Sequence, residues 1–219
     1  MLIRGVIFDV DGVLCDSEAI IAEAACRMFA ERYGVTVQLS DFVPFIGTGE
    51  DRFLGGVAEQ YGLTLQLPAD KELTYALYLA LIPGRLKALP GAHSFVRRCR
   101  AAGLKLAVAT SADRIKMNGN LGEIGLPVES FDACVTGTEV ARKKPFPDLF
   151  LQAAAGLGLA PEECLVVEDA VSGIQAATAA GSPSLGLTTS HTAAHLLAAG
   201  ARWVAPDLSL VPPNLPLPI

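Results

Sequence analysis

The sequence has few charged residues and no long apolar run. Of its 219 residues, 18% are charged and 51% are hydrophobic, which is typical of a well-packed globular protein and excludes a disordered chain. No segment reaches the roughly 18 consecutive apolar residues that a membrane-spanning helix requires, so we expect no membrane span. The formal net charge is −6, which gives a nucleic-acid-binding role no electrostatic support.

Paired cysteines are also missing. The five cysteines are odd in number, widely spaced and free of any CxxC pair: Cys15, Cys26, Cys99, Cys134 and Cys164. Such a pattern is typical of reduced, mostly buried thiols. The first residues show no signal-peptide pattern, because they lead directly into a predicted strand. Cys15 lies close to two aspartates, which leaves open a redox-sensitive thiol beside the simpler interpretation of a small residue at a tight hinge.

Strand and helix patterns alternate over most of the chain. Six short apolar segments predict strands: residues 2–9, 104–111, 131–136, 163–169, 182–188 and 202–206. Predicted helices separate the later strands, as in proteins whose parallel sheet carries helices on both faces. The sequence therefore predicts an α/β fold with a doubly wound parallel sheet, a Rossmann-like core.

The segment between the first two strands has no strand pattern of its own. Residues 17–87 predict helices, the first with an apolar face that includes Ile20, Ile21, Ala24, Ala25, Met28 and Phe29. We interpret this segment as a small helical cap domain inserted into a core made of residues 1–16 and 88–205. Residues 206–219 contain five prolines and are predicted to form an extended tail or linker, as at a boundary within a longer chain.

Polar residues collect at the carboxyl ends of the predicted strands. The first four strands are followed in order by Asp9 and Asp11, by Thr110 and Ser111, by Lys144, and by Glu168 and Asp169. Ligands of doubly wound sheets bind beyond these ends, so we expect the side chains to share one crevice. Carboxylates this close repel each other unless a cation lies among them, and hard oxygen ligands favour Mg²⁺. Lys144 and the Thr110 hydroxyl would then bind phosphate oxygens.

Four segments resemble, in order, the motifs of the haloacid dehalogenase-like hydrolase superfamily: FDVDG at 8–12, VATS at 108–111, KKPFPDLF at 143–150 and VVEDA at 166–170. The helical insertion resembles the first type of cap in that family, as in its β-phosphoglucomutase-like branch. DFVPFIGTGE, FLGGVA and SADRIK are similar to the hydrolase domain of a multidomain chloroplast protein. That likeness implies the chloroplast stroma as location, with the cytoplasm as the alternative.

The resemblance implies a role for each motif residue. Asp9 would attack phosphorus to form an aspartyl-phosphate, and Asp11 would act first as general acid and then as general base. Thr110 and Lys144 would hold the transferring phosphoryl group. The implied Mg²⁺ ligands are Asp9, the backbone carbonyl of Asp11, and Asp169, with Glu168 close by or binding through water.

The resemblance also indicates which of the family's reactions this chain is expected to catalyse. The cap loop at 47–52 would face the site, so the predicted substrate contacts are Gly47, Thr48, Gly49, Glu50, Arg52 and Ser111. Dehalogenase and phosphonate-cleaving members lack the acid that Asp11 supplies here. The phosphomutase has a histidine where this chain has Ile21 and a cap arginine where it has Glu50, whose charge would repel a second phosphate.

We therefore predict a Mg²⁺-dependent phosphatase that hydrolyses a small phosphorylated metabolite. One alternative is a regulatory or docking domain of a larger chloroplast protein, with weak or no turnover. A sugar phosphomutase is the less favoured third interpretation.

Overall fold

The fold is organised around one parallel sheet. A computed structural model describes residues 2–218. Its strands are β1 (Gly5–Phe8), β2 (Lys105–Ala109), β3 (Ala133–Val135), β4 (Cys164–Glu168), β5 (Ser184–Leu187) and β6 (Trp203–Ala205). They lie in the order β3-β2-β1-β4-β5-β6, and every neighbouring pair is parallel. The strand order reverses direction beside β1, which confirms the predicted doubly wound α/β core.

Helices cover both faces of the sheet. They are α1 (Glu18–Tyr33), α2 (Glu50–Gln60), α3 (Leu67–Leu81), α4 (Ala92–Ala101), α5 (Arg114–Glu123), α6 (Asp148–Leu157), α7 (Val171–Ala180) and α8 (Ala193–Ala199). Short 3-10 helices span Leu39–Phe45, Val128–Ser130 and Pro161–Glu163. Alternate residues of β1 face opposite sides: Val6 and Phe8 join one apolar cluster, and Ile7 joins another with α6 and α7.

The helices between β1 and β2 pack against one another and against the core. The six predicted apolar residues of α1 are all buried, and Gly34 ends that helix in the left-handed conformation with φ of 65°. Helix α3 lies close to α5, where a Cβ on Gly119 would come within 2.4 Å of Leu79 Cδ2. The described residues thus place a helical layer where the sequence predicts a cap, while the exact boundaries 17 and 87 stay a prediction.

The proline-rich C-terminal segment packs more closely than predicted. Leu208 and Leu215 are buried and join the main apolar cluster. The backbone of Leu208 and Ser209 passes directly over Gly91, where a Cβ would lie 2.1 Å from the Ser209 nitrogen. The prolines exclude a helix or an inner strand, but they do not prevent the leucines between them from being buried. Within residues 2–218, no helix combines the length and the apolar character needed to cross a membrane.

Candidate active site

The register of the sheet aligns three of the predicted site residues. Phe8 pairs with Val108 of β2 and with Val167 of β4, so the next residue, Asp9, lies level with the carboxyl ends of both neighbours. The Asp9 N–H donates to the Val167 carbonyl at 3.0 Å. Asp9 is therefore level with Glu168 and with Ala109, the residue before Thr110, at the point where the strand order reverses. Asp9, Thr110 and Glu168 line a cleft between the sheet and the cap helices.

Lys144 lies between two carboxylates in this cleft. Its Nζ donates to Asp9 Oδ1 at 2.8 Å and to Glu168 Oε1 at 2.6 Å, and its side chain is only 3% exposed. Burial disfavours the charged ammonium, but the two carboxylates outweigh that cost and hold the pKa of Lys144 above its ordinary value. Lys144 is thus a permanent cation directed at Asp9.

Glu168 anchors this arrangement. Its Oε2 accepts the backbone N–H groups of Asp169 and Ala170, both at 2.8 Å, while Oε1 accepts Lys144. A Cβ on Gly173 would lie 1.9 Å from Glu168 Oε1, so the glycine leaves the space that the carboxylate occupies. Because both oxygens of Glu168 already accept hydrogen bonds, its main structural effect is to orient Lys144.

Asp11 faces a different set of partners. Its Oδ2 accepts Lys116 Nζ at 3.0 Å, and its Oδ1 accepts Asn120 Nδ2 at 3.0 Å and the Ser17 hydroxyl. Its carboxylate is therefore separate from the Asp9 cluster, in line with the prediction that only its backbone carbonyl binds metal. That ligand role stays a prediction.

Sequence reasoning missed these three partners of Asp11. Ser17 directly precedes α1, where a serine typically caps the helix, yet its side chain forms no capping bond and donates to Asp11 instead. Lys116 and Asn120 lie on α5, a helix that also contains Gly119 and Gly122. Their spacing of four residues puts both on one face of the helix, and this spacing is the sequence feature that could have indicated a shared partner.

Thr110 and Ser111 lie at the end of β2, as predicted. Thr110 Oγ1 accepts the Ala112 N–H at 3.1 Å, which leaves its hydroxyl proton free to donate to a phosphate oxygen. Ser111 is buried in the cleft lining, and its Oγ has no hydrogen-bond partner among the described residues. Both hydroxyls can therefore form hydrogen bonds with a polar ligand in the cleft.

The cap loop reaches the cleft with only part of its predicted set. Gly47, Gly49 and Glu50 line the cleft. Thr48 does not, because its hydroxyl folds back onto the Phe45 carbonyl at 2.7 Å. Arg52 does not either: its guanidinium pairs with Glu59 on the surface of α2, at 2.8 and 2.9 Å. Thr48 thus folds back within the loop before α2, and the turn of α2 directs Arg52 toward Glu59, so neither lies in the lining of the cleft. The substrate contacts of the other cap residues stay predictions.

Two further residues of the first loop and α1 affect the chemistry of the cleft. Glu18 lines it, and burial together with the nearby Asp11 raises the pKa of Glu18 to about 7. Cys15 is fully buried, and its thiol pKa is raised by burial and by Asp11. Because the thiolate is the reactive form of cysteine, this environment opposes a redox role for Cys15 and fits the simpler hinge interpretation.

Comparison with known families agrees with this geometry. Residues 3–181 match the model of the family described as haloacid dehalogenase-like hydrolase. This chain belongs to that family. The match confirms the resemblance inferred from the four motifs, and with it the predicted class of enzyme, a phosphatase of the haloacid dehalogenase-like hydrolases.

Individual relatives refine the comparison. The chain is 43% identical to the Arabidopsis thaliana protein SUPPRESSOR OF QUENCHING 1, chloroplastic, over 97% of its own length but only 20% of that relative. It is 33% identical to hexitol phosphatase A of Escherichia coli, covering 83% of this chain and 81% of that one. The β-phosphoglucomutase of Clostridium difficile shares the fold, with a TM-score of 0.80 at 23% identity and coverage of 94% and 92%.

The donor set of this hydrolase fits a divalent cation. Asp9, Glu168 and Asp169 each offer one carboxylate oxygen within 4.8 Å of the others, and all three residues are buried. Lys144 supplies one positive charge against these three negative ones. Burial, partly offset by Lys144, raises the pKa of Asp9 to about 7, and burial with Glu168 raises that of Asp169. A hard cation such as Mg²⁺ would balance this charge.

These pKa shifts predict how stability depends on pH and metal. Between the ordinary Asp9 pKa of 3.8 and its folded value of about 7, the folded chain holds a proton that the unfolded chain has lost. This contribution to the free energy of unfolding therefore falls as pH rises through that window, when EDTA is present. Mg²⁺ favours the ionised carboxylates and should stabilise the folded chain more at pH 8 than at pH 5. At pH 8, Mg²⁺ at a hundred times its Kd should add about 2.7 kcal/mol to the free energy of unfolding.

Urea unfolding at several pH values, with Mg²⁺ or with EDTA, measures this effect. Asp9→Asn, which cannot ionise, is the matched control and should show a smaller metal response. An equal metal response at both pH values would contradict the prediction.

Proposed function

We propose that this hydrolase is a Mg²⁺-dependent phosphatase that acts on a small phosphorylated metabolite through an aspartyl-phosphate on Asp9. The observation that carries the proposal is the buried group of Asp9, Glu168 and Asp169 beside Lys144 at the strand ends. A nucleophilic carboxylate, a fixed cation and a metal-binding donor set are the three parts that phosphoryl transfer requires.

The residues of the cleft divide the reaction into two steps. In the first, Asp9 attacks phosphorus, the bond to the leaving oxygen breaks, and Asp11 gives that oxygen a proton. In the second, Asp11 takes a proton from water, the water oxygen bonds to phosphorus, and the bond to Asp9 breaks to release inorganic phosphate. Lys144 and Thr110 hold the phosphoryl oxygens throughout.

Asp9, Asp169 and the Asp11 carbonyl would hold Mg²⁺. Glu168 would support them by keeping Lys144 in place. When bound, the ion would neutralise part of the negative charge of the phosphoryl group.

The residues that line the cleft favour water over a sugar phosphate as the final acceptor of the phosphoryl group. Ile21 lies in the cleft at the position where the phosphomutase has its histidine. Glu50 lies where the mutase has an arginine. It is buried in the lining of the cleft, where its Oε1 pairs with Lys116 at 3.3 Å and its Oε2 has no partner among the described residues. An apolar side chain cannot relay a proton, and a carboxylate repels a second phosphate, so the sugar phosphomutase remains the less favoured function.

Hydrolysis of a panel of phosphate esters tests the proposal. The panel contains p-nitrophenyl phosphate, hexitol and hexose monophosphates, and hexose bisphosphates, each measured with Mg²⁺ and with EDTA. We expect turnover that EDTA abolishes, and kcat/KM for monophosphates on the order of tenfold above that for bisphosphates. Turnover that survives EDTA would refute the metal dependence, and a preference for bisphosphates would refute the role of Glu50.

A second candidate function follows from the size of one relative. The chain spans 20% of the length of SUPPRESSOR OF QUENCHING 1, so we also consider that it serves as a regulatory or docking domain of a larger protein in the chloroplast stroma, with the cytoplasm as the alternative location. A folded chain that binds Mg²⁺ and phosphate but turns over no ester in the panel would favour this second function.

A further inference from the structure

Lys116 connects the predicted general acid–base to the cap. It is buried on α5, and its Nζ lies 3.0 Å from Asp11 Oδ2 and 3.3 Å from Glu50 Oε1. Glu50 is the first residue of α2, within the cap. Burial opposes the charge of Lys116, but Asp11 and Glu50 outweigh it and hold its pKa well above the ordinary value. One ammonium group thus pairs with a carboxylate on each side of the cleft.

Asn120 makes a second connection of the same kind. Its Nδ2 donates to Asp11 Oδ1 at 3.0 Å, and its Oδ1 accepts the Tyr78 hydroxyl at 2.5 Å. Tyr78 lies on α3, also in the cap, and it is fully buried. The two oxygens of Asp11 are therefore held by side chains one helical turn apart on α5, each in contact with a different cap helix.

We propose that Lys116 and Asn120 form a two-armed clamp through which the cap, by way of Glu50 and Tyr78, positions the Asp11 carboxylate for the water-activating second step. This inference rests on the proposed function. Lys116, Asn120 and Ser17 all donate to Asp11, so these hydrogen bonds fix the direction of its carboxylate in the cleft. Lys116 and Asn120 are positioning residues, since they act through Asp11.

The clamp should affect the second step more than the first. The p-nitrophenolate group leaves without needing a proton, so formation of the aspartyl-phosphate from p-nitrophenyl phosphate depends little on Asp11. Its hydrolysis needs Asp11 as a base, which is an effect of about 10²-fold or more in full. Weakening the clamp should therefore lower kcat while leaving kcat/KM nearly unchanged, and the phosphorylated enzyme should accumulate.

Three variants test the clamp with p-nitrophenyl phosphate. Tyr78→Phe removes only a hydroxyl, Lys116→Met removes the ammonium, and Lys71→Met is the control. Lys71 also joins cap to core, pairing with Asp51 at 2.8 Å and Asp113 at 2.9 Å, but it does not contact Asp11. We expect kcat to fall roughly tenfold in Tyr78→Phe and up to about a hundredfold in Lys116→Met. In both variants kcat/KM should stay within about threefold of the wild-type value. The phosphorylated enzyme should be visible by mass spectrometry after an acid quench. Lys71→Met should change kcat and kcat/KM together, without accumulation.

The outcomes separate the clamp from the proposed function. Equal losses of kcat and kcat/KM in Tyr78→Phe, without accumulation, would overturn the clamp while leaving the phosphatase intact. If Lys116→Met does not fold, the result for Tyr78→Phe alone tests the clamp. Absence of turnover by the folded wild type on every ester would overturn the proposed phosphatase and the clamp with it.

Discussion

Asp9→Asn should abolish turnover, with kcat reduced on the order of 10⁴-fold or more. The amide of asparagine has almost the shape of the carboxylate but cannot serve as the nucleophile, and losing a nucleophile has effects of this size in other covalent enzymes. The fold should persist, because Asn Oδ1 still accepts a hydrogen bond from Lys144 and a buried negative charge is removed. The measurement is kcat with Mg²⁺ on the best ester of the panel, with thermal unfolding as the check on folding.

Asp16→Asn is the matched control for this substitution. Asp16 belongs to the same loop, but its side chain is exposed to solvent, so its kcat should stay within about twofold of wild type. Hydroxylamine treatment of the quenched wild-type enzyme should also release the phosphoryl group expected on Asp9. Turnover by Asp9→Asn within tenfold of wild type would show that another group attacks phosphorus.

Lys144→Met should produce the second largest effect and should separate two functions of the site. Removing the ammonium leaves Asp9 and Glu168 buried without their shared cation, which costs about 3 kcal/mol of unfolding free energy in EDTA at pH 8. The transferring phosphoryl group also loses a fixed positive charge, which lowers kcat on the order of 10²- to 10³-fold. Mg²⁺ should nevertheless bind more tightly, because a competing cation has gone from the carboxylate cluster.

Opposite changes in metal affinity and in kcat are the distinguishing result. Calorimetric titration with Mg²⁺ and steady-state kinetics on the same preparation measure the two quantities. Lys87→Met, at an exposed lysine, should alter neither. Weaker Mg²⁺ binding in Lys144→Met would show that Lys144 supports the metal site rather than competes with it.

The main elements of the fold were predictable because they follow from local patterns. Short apolar runs predicted all six strands, and the apolar spacing of α1 predicted its buried face. The rule that parallel strands present their carboxyl ends to one edge then brought Asp9, Lys144 and Glu168 together. Each of these inferences needs only neighbouring residues and the general geometry of a sheet.

Sequence reasoning was weakest where the direction of a side chain decides its contacts. Arg52 lies two residues beyond Glu50 on α2, and the turn of that helix directs it toward Glu59 and away from the cleft. Leu208 and Leu215 lie among prolines, and only the surface of the core beside Gly91 provides the space that buries Leu208. Composition and spacing do not indicate that Arg52 pairs with Glu59 or that Leu208 packs beside Gly91.

The family, the doubly wound sheet and the residues that meet at the ends of its strands could be read from the sequence, because they depend on the order of motifs along the chain. The groups that surround Asp11 became visible only in the folded chain. Lys116 and Asn120 are 105 and 109 residues away along the chain, and Glu50 and Tyr78 approach them from other helices. Such contacts depend on how α2, α3 and α5 pack together, and long-range packing is a property of the whole fold rather than of any segment.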